Sequence, residues 1–266
     1  WIPLQFLAID EWFARRKPVW CLVGMLAVAM EIFAGHPQYV YFAGIAAGVY
    51  ALMRLAEPQQ NRIVALAGVL SIPLGGALLA AVQLLAGMQA TQETVRALPL
   101  PIWFAGSVSF PPENLITLVA PGFFGDYTFH PYWGRWYFWE TCAFIGVSGL
   151  ALACYGMLSA GVTAKRALLI TLAVAVVLAF GDNSPLFTIL YDWVPFFDKF
   201  RGSAKFIFFV TLILCIFSGY GMDRILRERM AAPRALAVAA AAAVVLILGG
   251  SVVSLMDGKP AMKAMY

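Results

Sequence analysis

The sequence predicts an all-α fold, a polytopic bundle of about seven transmembrane helices. Three observations predict it. The chain of 266 residues is 62% hydrophobic and only 12% charged, with a mean hydropathy of +0.82. Soluble globular chains carry about 25% charged residues. The apolar residues fall in long runs, and short charged clusters separate those runs. The cations and the acids then collect in alternate connections, which is the signature of orientation in a membrane.

Taking about 20 apolar residues as one crossing, the spans fall at residues 19–34, 37–55, 63–85, 138–160, 167–181, 205–222 and 235–256. The first and fifth are short for a full crossing. Residues 1–13 form an apolar, aromatic-rich lead-in, read as an interfacial helix or as the tail of an earlier span. The chain begins at Trp1 and is expected to be a fragment of a longer protein. The run 235–243 is rich in alanine and reads as a small-residue packing helix.

Charge sets the sides. Arg15, Arg16 and Lys17, then Arg54 and Arg62, then Lys165 and Arg166, then Arg224, Arg227, Arg229 and Arg234 occupy one set of connections. The positive-inside rule makes this set cytoplasmic. The other set carries Glu93, Glu113, Asp126, Glu140, Asp182, Asp192 and Asp198, and is extracytoplasmic. Its members are a tight turn at Gly35-His36-Pro37 and two long loops, 88–137 and 182–204. Long loops with spaced prolines and aromatics point to function rather than to disorder.

The formal charge of +4 is modest, and no basic stripe with interleaved aromatics appears outside loops that face a membrane surface, so no nucleic-acid partner is expected. Cys21, Cys142, Cys154 and Cys215 lie in or beside apolar runs without any CxxC pair. They read as small buried hydrophobes rather than metal ligands.

Several residues could carry chemistry. Glu31 is the one carboxylate well inside a span, near its outer end. Such a residue is a functional candidate, or else it snorkels to the outer interface or hydrogen-bonds a neighbouring helix. His36 is a candidate base or ligand, against a structural role at the turn where Pro37 starts the next helix. Glu113 follows a proline pair and suits a helix N-terminus. The segment from His130 to Glu140 is strongly aromatic and reads first as an interfacial belt. Its Tyr132 and Trp133 would also shape a sugar pocket, and Arg135 would pair with an anion. In the last outer loop, Arg201 and Lys205 stand at i and i+4. A helix starting near Arg201 would point both the same way. Arginine offers a bidentate fork for phosphate and lysine a point charge. The plainer reading is snorkelling to the lipid surface.

Further stretches carry a resemblance. They are Trp1-Ile2-Pro3-Leu4, Ala34-Gly35-His36-Pro37-Gln38, and Ala81-Val82-Gln83-Leu84-Leu85 with Arg96. They continue through Pro121-Gly122-Phe123-Phe124-Gly125, Tyr132-Trp133-Gly134, Phe180-Gly181-Asp182-Asn183-Ser184-Pro185-Leu186, and Pro195-Phe196 with Phe200-Arg201. In this order and spacing the chain resembles the bacterial YfhO-like integral membrane proteins, of the GT-C class of membrane glycosyltransferases. The resemblance implies a multi-pass protein of the bacterial inner membrane with an extracytoplasmic active site. It implies a polyprenyl-phosphate-linked sugar as donor, a cell-envelope acceptor and membrane lipids as partners. Arg201, Lys205, Arg96 and Arg135 become the candidates for the donor phosphate. Glu31, His36, Tyr132, Trp133 and Asp182 become pocket candidates. The catalytic carboxylate, acting as general base, is expected upstream of Trp1. The cofactor is left open, a divalent metal being one option. Two positions depart from the family pattern. Lys205 stands in place of a second arginine, and Glu31 where a neutral, glutamine-like residue is expected. Two other functions compete: a transporter or flippase of a lipid-linked or anionic solute, and a non-catalytic membrane protein of envelope assembly.

Overall fold

A computed structural model of the chain describes residues 1–58, 61–94, 97–125, 131–159 and 163–228. Every regular element among them is helical, so the fold is all-α. The helices are α1 (Ile2–Arg15), α2 (Pro18–Phe33), α3 (Pro37–Ala56), α4 (Arg62–Leu79), α5 (Ala81–Gln92), α6 (Ile102–Ala105), α7 (Phe138–Thr141), α8 (Val147–Ser159), α9 (Lys165–Phe180), α10 (Leu186–Trp193) and α11 (Ile207–Glu228). Short 3₁₀ turns cover Pro112–Leu118, Gly181–Asn183, Phe197–Lys199 and Ser203–Phe206. Four stretches are long and apolar enough to cross a membrane: Pro37–Ala56, Arg62–Leu79, Lys165–Asn183 and Ser203–Arg227. Pro18–Phe33 and Val147–Leu158 are apolar but shorter. The span expected at 235–256 lies outside the described residues.

Local chemistry sets most boundaries. Proline opens α2 and α3, where its missing N–H costs nothing and its φ suits a helix. Asn61 caps α4, its side chain accepting from the N–H groups of Ile63 and Val64 at 3.0 and 3.1 Å. Two expected spans are broken. The run 63–85 splits at Ala80, whose ψ of 19° ends α4 before α5 begins. Pro73 and the pair Gly75-Gly76 precede that break and weaken the helix there. The run 138–160 contains only the single turn α7, then extended backbone at Cys142 and a left-handed Gly146 at φ +85°. The apolar helix therefore starts at Val147.

The described residues fall into two compact units. The first comprises Trp1–Pro101, Arg166–Ala173 and Phe196–Phe200. In it α2 packs along both α1 and α4. The lead-in is thus a folded helix of the bundle, with Phe6, Ala8, Ile9, Trp12 and Phe13 buried. Trp12 lies flat against Gly68 of α4 and donates its indole N–H to the Ala65 carbonyl at 3.1 Å. Only glycine leaves room for that ring. The basic end of the unit is tied by side chains. The Tyr50 hydroxyl donates to Asp10 at 2.6 Å, and buried Arg54 pairs with Asp10 at 3.5 Å and Glu57 at 3.4 Å. Segment 196–200 belongs here too: Phe200 lies 5.3 Å from the Tyr41 ring, and the Leu100 N–H donates to the Asp198 carbonyl.

The second unit comprises Ile102–Lys165, Val174–Pro195 and the chain from Arg201 onward. Its spine is the pair α8 and α11. They meet backbone to backbone: a Cβ on Gly156 would strike the Phe217 carbonyl oxygen, and one on Gly221 would strike that of Leu152. The Ser218 hydroxyl donates across the seam to the Gly149 carbonyl at 2.5 Å. Small residues and crossing hydrogen bonds are how helices associate where lipid removes the hydrophobic drive.

Candidate functional site

The polar centre of the second unit is built on residues 106–110. This segment has no regular structure, and two distant stretches bind it. On one side the Gly202 N–H donates to the Ser107 carbonyl at 3.0 Å and the Ala204 N–H to the Val108 carbonyl at 3.1 Å. On the other, the Phe110 N–H donates to the Ala179 carbonyl at 2.9 Å, and Asn183 Nδ2 donates to the Phe110 carbonyl at 3.1 Å. Ser109 links the segment to Asp182: its hydroxyl donates to the Gly106 carbonyl at 2.7 Å and accepts from the Asp182 N–H at 2.8 Å. Val108 has φ +58°, a left-handed conformation that a β-branched residue adopts only under constraint.

The two loop cations stand on the stretch this segment holds. They do not share a helix face, contrary to the i, i+4 expectation. Gly202 is left-handed at φ +79°, residues Ser203–Phe206 form a 3₁₀ turn, and α11 starts only at Ile207. Arg201 therefore precedes the turn, exposed, with its guanidinium 4.9 Å above the Phe104 ring. Lys205 lies within the turn and reaches Glu140 on α7, its Nζ 3.1 Å from both carboxylate oxygens. The lysine side chain is 13% exposed and the glutamate 22%. The ammonium bends back over Gly202, where a Cβ would sit 2.8 Å from Nζ.

Glu140 is held from behind. Asn114 is buried and donates from Nδ2 to the Thr141 carbonyl at 3.1 Å. The Thr117 hydroxyl accepts from the Ala143 N–H at 2.9 Å. The Tyr132 hydroxyl lies 3.3 Å from that of Thr141, and its ring meets Phe138 edge-on. Tyr132 thus braces α7. Trp133 packs on Phe123 and Phe124. Burial pushes the Cys142 thiol above its ordinary range.

Of the residues singled out in the sequence, Arg201, Lys205, Asp182 and Tyr132 belong to this one network of contacts. Arg135 is engaged elsewhere. It pairs with Glu113 at 2.6 Å, and its side chain is about half exposed. Glu31 and His36 belong to the first unit. Glu31 is buried on α2, and its Oε1 has no hydrogen-bond partner among the described residues. His36 is exposed, precedes Pro37 at the start of α3 and packs edge-on against Tyr39. Arg96 lies outside the described residues, as do Asp126 and His130. Glu140 was not singled out by the sequence. Within its own segment it reads as one acid among aromatics, and its partner is 65 residues away. Among the described residues no three His, Cys, Asp or Glu side chains come together to hold a metal. Comparison with protein-family models, with curated proteins and with solved structures finds no match to the chain.

Proposed function

We propose that this chain forms part of a membrane glycosyltransferase, which moves a sugar from a polyprenyl-phosphate donor to an acceptor at the outer face of a bacterial inner membrane. The observation that carries the reading is the pinned stretch 201–205, which carries Arg201 over the Phe104 ring and Lys205 against Glu140. In this reading the Arg201 fork engages two phosphate oxygens and Lys205 adds a point charge. The acceptor hydroxyl gives its proton to a carboxylate acting as general base and its oxygen attacks the anomeric carbon, while the bond from that carbon to the phosphate oxygen breaks. The electron pair stays on the phosphate, where the two cations stabilise it. Both bound before the reaction, they need no reorganisation as the charge develops.

The test is transfer of a labelled sugar from a polyprenyl-phosphate donor by the purified full-length protein. Arg201→Ala and Lys205→Ala should each lower the rate by roughly 10²–10³ fold. Normal transfer by both single variants and the double would sink the assignment. A second reading, transport of a lipid-linked or anionic solute, draws on one feature: the buried Glu31 with an unpartnered oxygen inside an apolar helix. Movement of the labelled lipid without turnover, lost in Glu31→Gln, would favour it.

A further inference from the structure

We propose that Glu140 is an intramolecular competitor for the donor phosphate: it holds Lys205 while the site is empty, yields it when the phosphate binds, and takes it back to expel the spent carrier lipid. This rests on the reading of Arg201 and Lys205 as the phosphate-binding pair.

The geometry of the pair carries the inference. Lys205 Nζ stands at equal distance, 3.1 Å, from both Glu140 oxygens, so the carboxylate faces the ammonium squarely and holds the donors on that side. A phosphate needs those same donors. Neither partner is free to drift. Glu140 sits on a helical turn whose end is fixed by Asn114 and Thr117. Lys205 sits on a turn whose backbone is fixed by the Ser107 and Val108 carbonyls. Both side chains are largely withdrawn from water, so their attraction is stronger than that of an exposed pair. Arg201 is differently placed: its guanidinium rests on an aromatic face. In the proposed cycle Lys205 is the cation handed over from the carboxylate to the phosphate.

An anion that takes Lys205 from Glu140 must break this pair, and its affinity is reduced by that amount. Glu140→Gln keeps the shape and removes the charge. It should bind the phosphate head group more tightly and release it more slowly. For the enzyme this predicts a lower KM together with a lower kcat. A residue that merely stabilised the fold would not lower KM.

The experiment measures binding of polyprenyl monophosphate to the full-length protein in nanodiscs, with inorganic phosphate as a second arm. Glu140→Gln should tighten lipid binding about tenfold, Lys205→Met should weaken it about tenfold, and the double variant should match Lys205→Met. Tightening for inorganic phosphate as well assigns the effect to the phosphate group, and tightening for the lipid alone assigns it to the phosphate presented at the membrane. Where Glu140→Gln does not accumulate, Glu140→Asp, which draws the carboxylate back, should give a smaller tightening. If Lys205→Met loses affinity while Glu140→Gln matches wild type or binds more weakly, Glu140 is structural and the phosphate site stands. If neither Lys205→Met nor Arg201→Ala alters binding, the phosphate site itself falls, and this inference with it.

Discussion

Substituting Gly156 tests how the second unit is held together. An added methyl there would drive into the Phe217 carbonyl oxygen and come within 3.0 Å of the Gly221 nitrogen. These are backbone atoms, so no side chain can swing aside, and α8 and α11 must part. Overpacking of this kind costs about 1–3 kcal/mol. The parting would also stretch the bond from Ser218 to the Gly149 carbonyl, which contributes roughly 1 kcal/mol. Gly156→Ala should therefore lower unfolding stability by about 1–3 kcal/mol, after the helix-propensity gain of alanine, about 1 kcal/mol, is set against it. Gly221→Ala should behave alike, because its methyl meets the Leu152 carbonyl. The double variant should cost less than the sum, since helices parted by one methyl accommodate the second. Gly219 is the control. It lies on the same helix with open space around its Cα, and Gly219→Ala should be neutral or stabilising by up to about 1 kcal/mol. Equilibrium unfolding in mixed micelles, followed by helical circular dichroism, reads all four. Equal stability of Gly156→Ala and Gly219→Ala would refute the close contact of α8 with α11.

The remaining expectations are as follows. Asp10→Ala deprives buried Arg54 of one of its two carboxylates and the Tyr50 hydroxyl of its acceptor, and should cost about 2–4 kcal/mol in the same unfolding assay. Arg135→Ala and Glu113→Ala break an exposed pair, so each should change stability by less than about 1 kcal/mol and leave phosphate binding intact. Gly68→Ala collides with the Trp12 ring, and Trp12→Ala should rescue part of its loss of stability, as a double-mutant cycle would report. Burial raises the Cys142 thiol, so its thiolate fraction at neutral pH is low. Its maleimide labelling should be slower than that of a free thiol peptide, and should rise to a plateau at higher pH than the peptide's.

The helical class was legible because apolar runs of membrane length leave a strong mark on composition. The starts of α2, α3 and α4 were close to their expected positions, since Pro18, Pro37 and Asn61 act locally. The breaks at Ala80 and before Val147 were not legible, because hydropathy continues through them while backbone geometry changes. The same distinction governs the site. Arg201 and Lys205 stood out as cations in an acidic loop. That they do not share a helix face depends on Gly202 adopting φ +79°, with its N–H on the Ser107 carbonyl, and that contact is far removed in sequence. Glu140 has no local signature for the same reason. Arg135 shows the opposite case: as a cation it attracted a phosphate role, and Glu113 occupies it in the structure.

The left-handed Val108 has a consequence for biogenesis. A β-branched residue does not hold that conformation by itself, so residues 106–110 need the partners that grip them. Those partners, residues 179–183 and 202–204, emerge from the ribosome much later. The first unit has its helices α1 to α5 in unbroken order, and it too takes in later chain at residues 166–173 and 196–200. During synthesis the segment carrying Ser107 and Val108 must wait until residues 179–204 have been made. A chain released before residue 204 should present this segment unpaired and open to proteolysis.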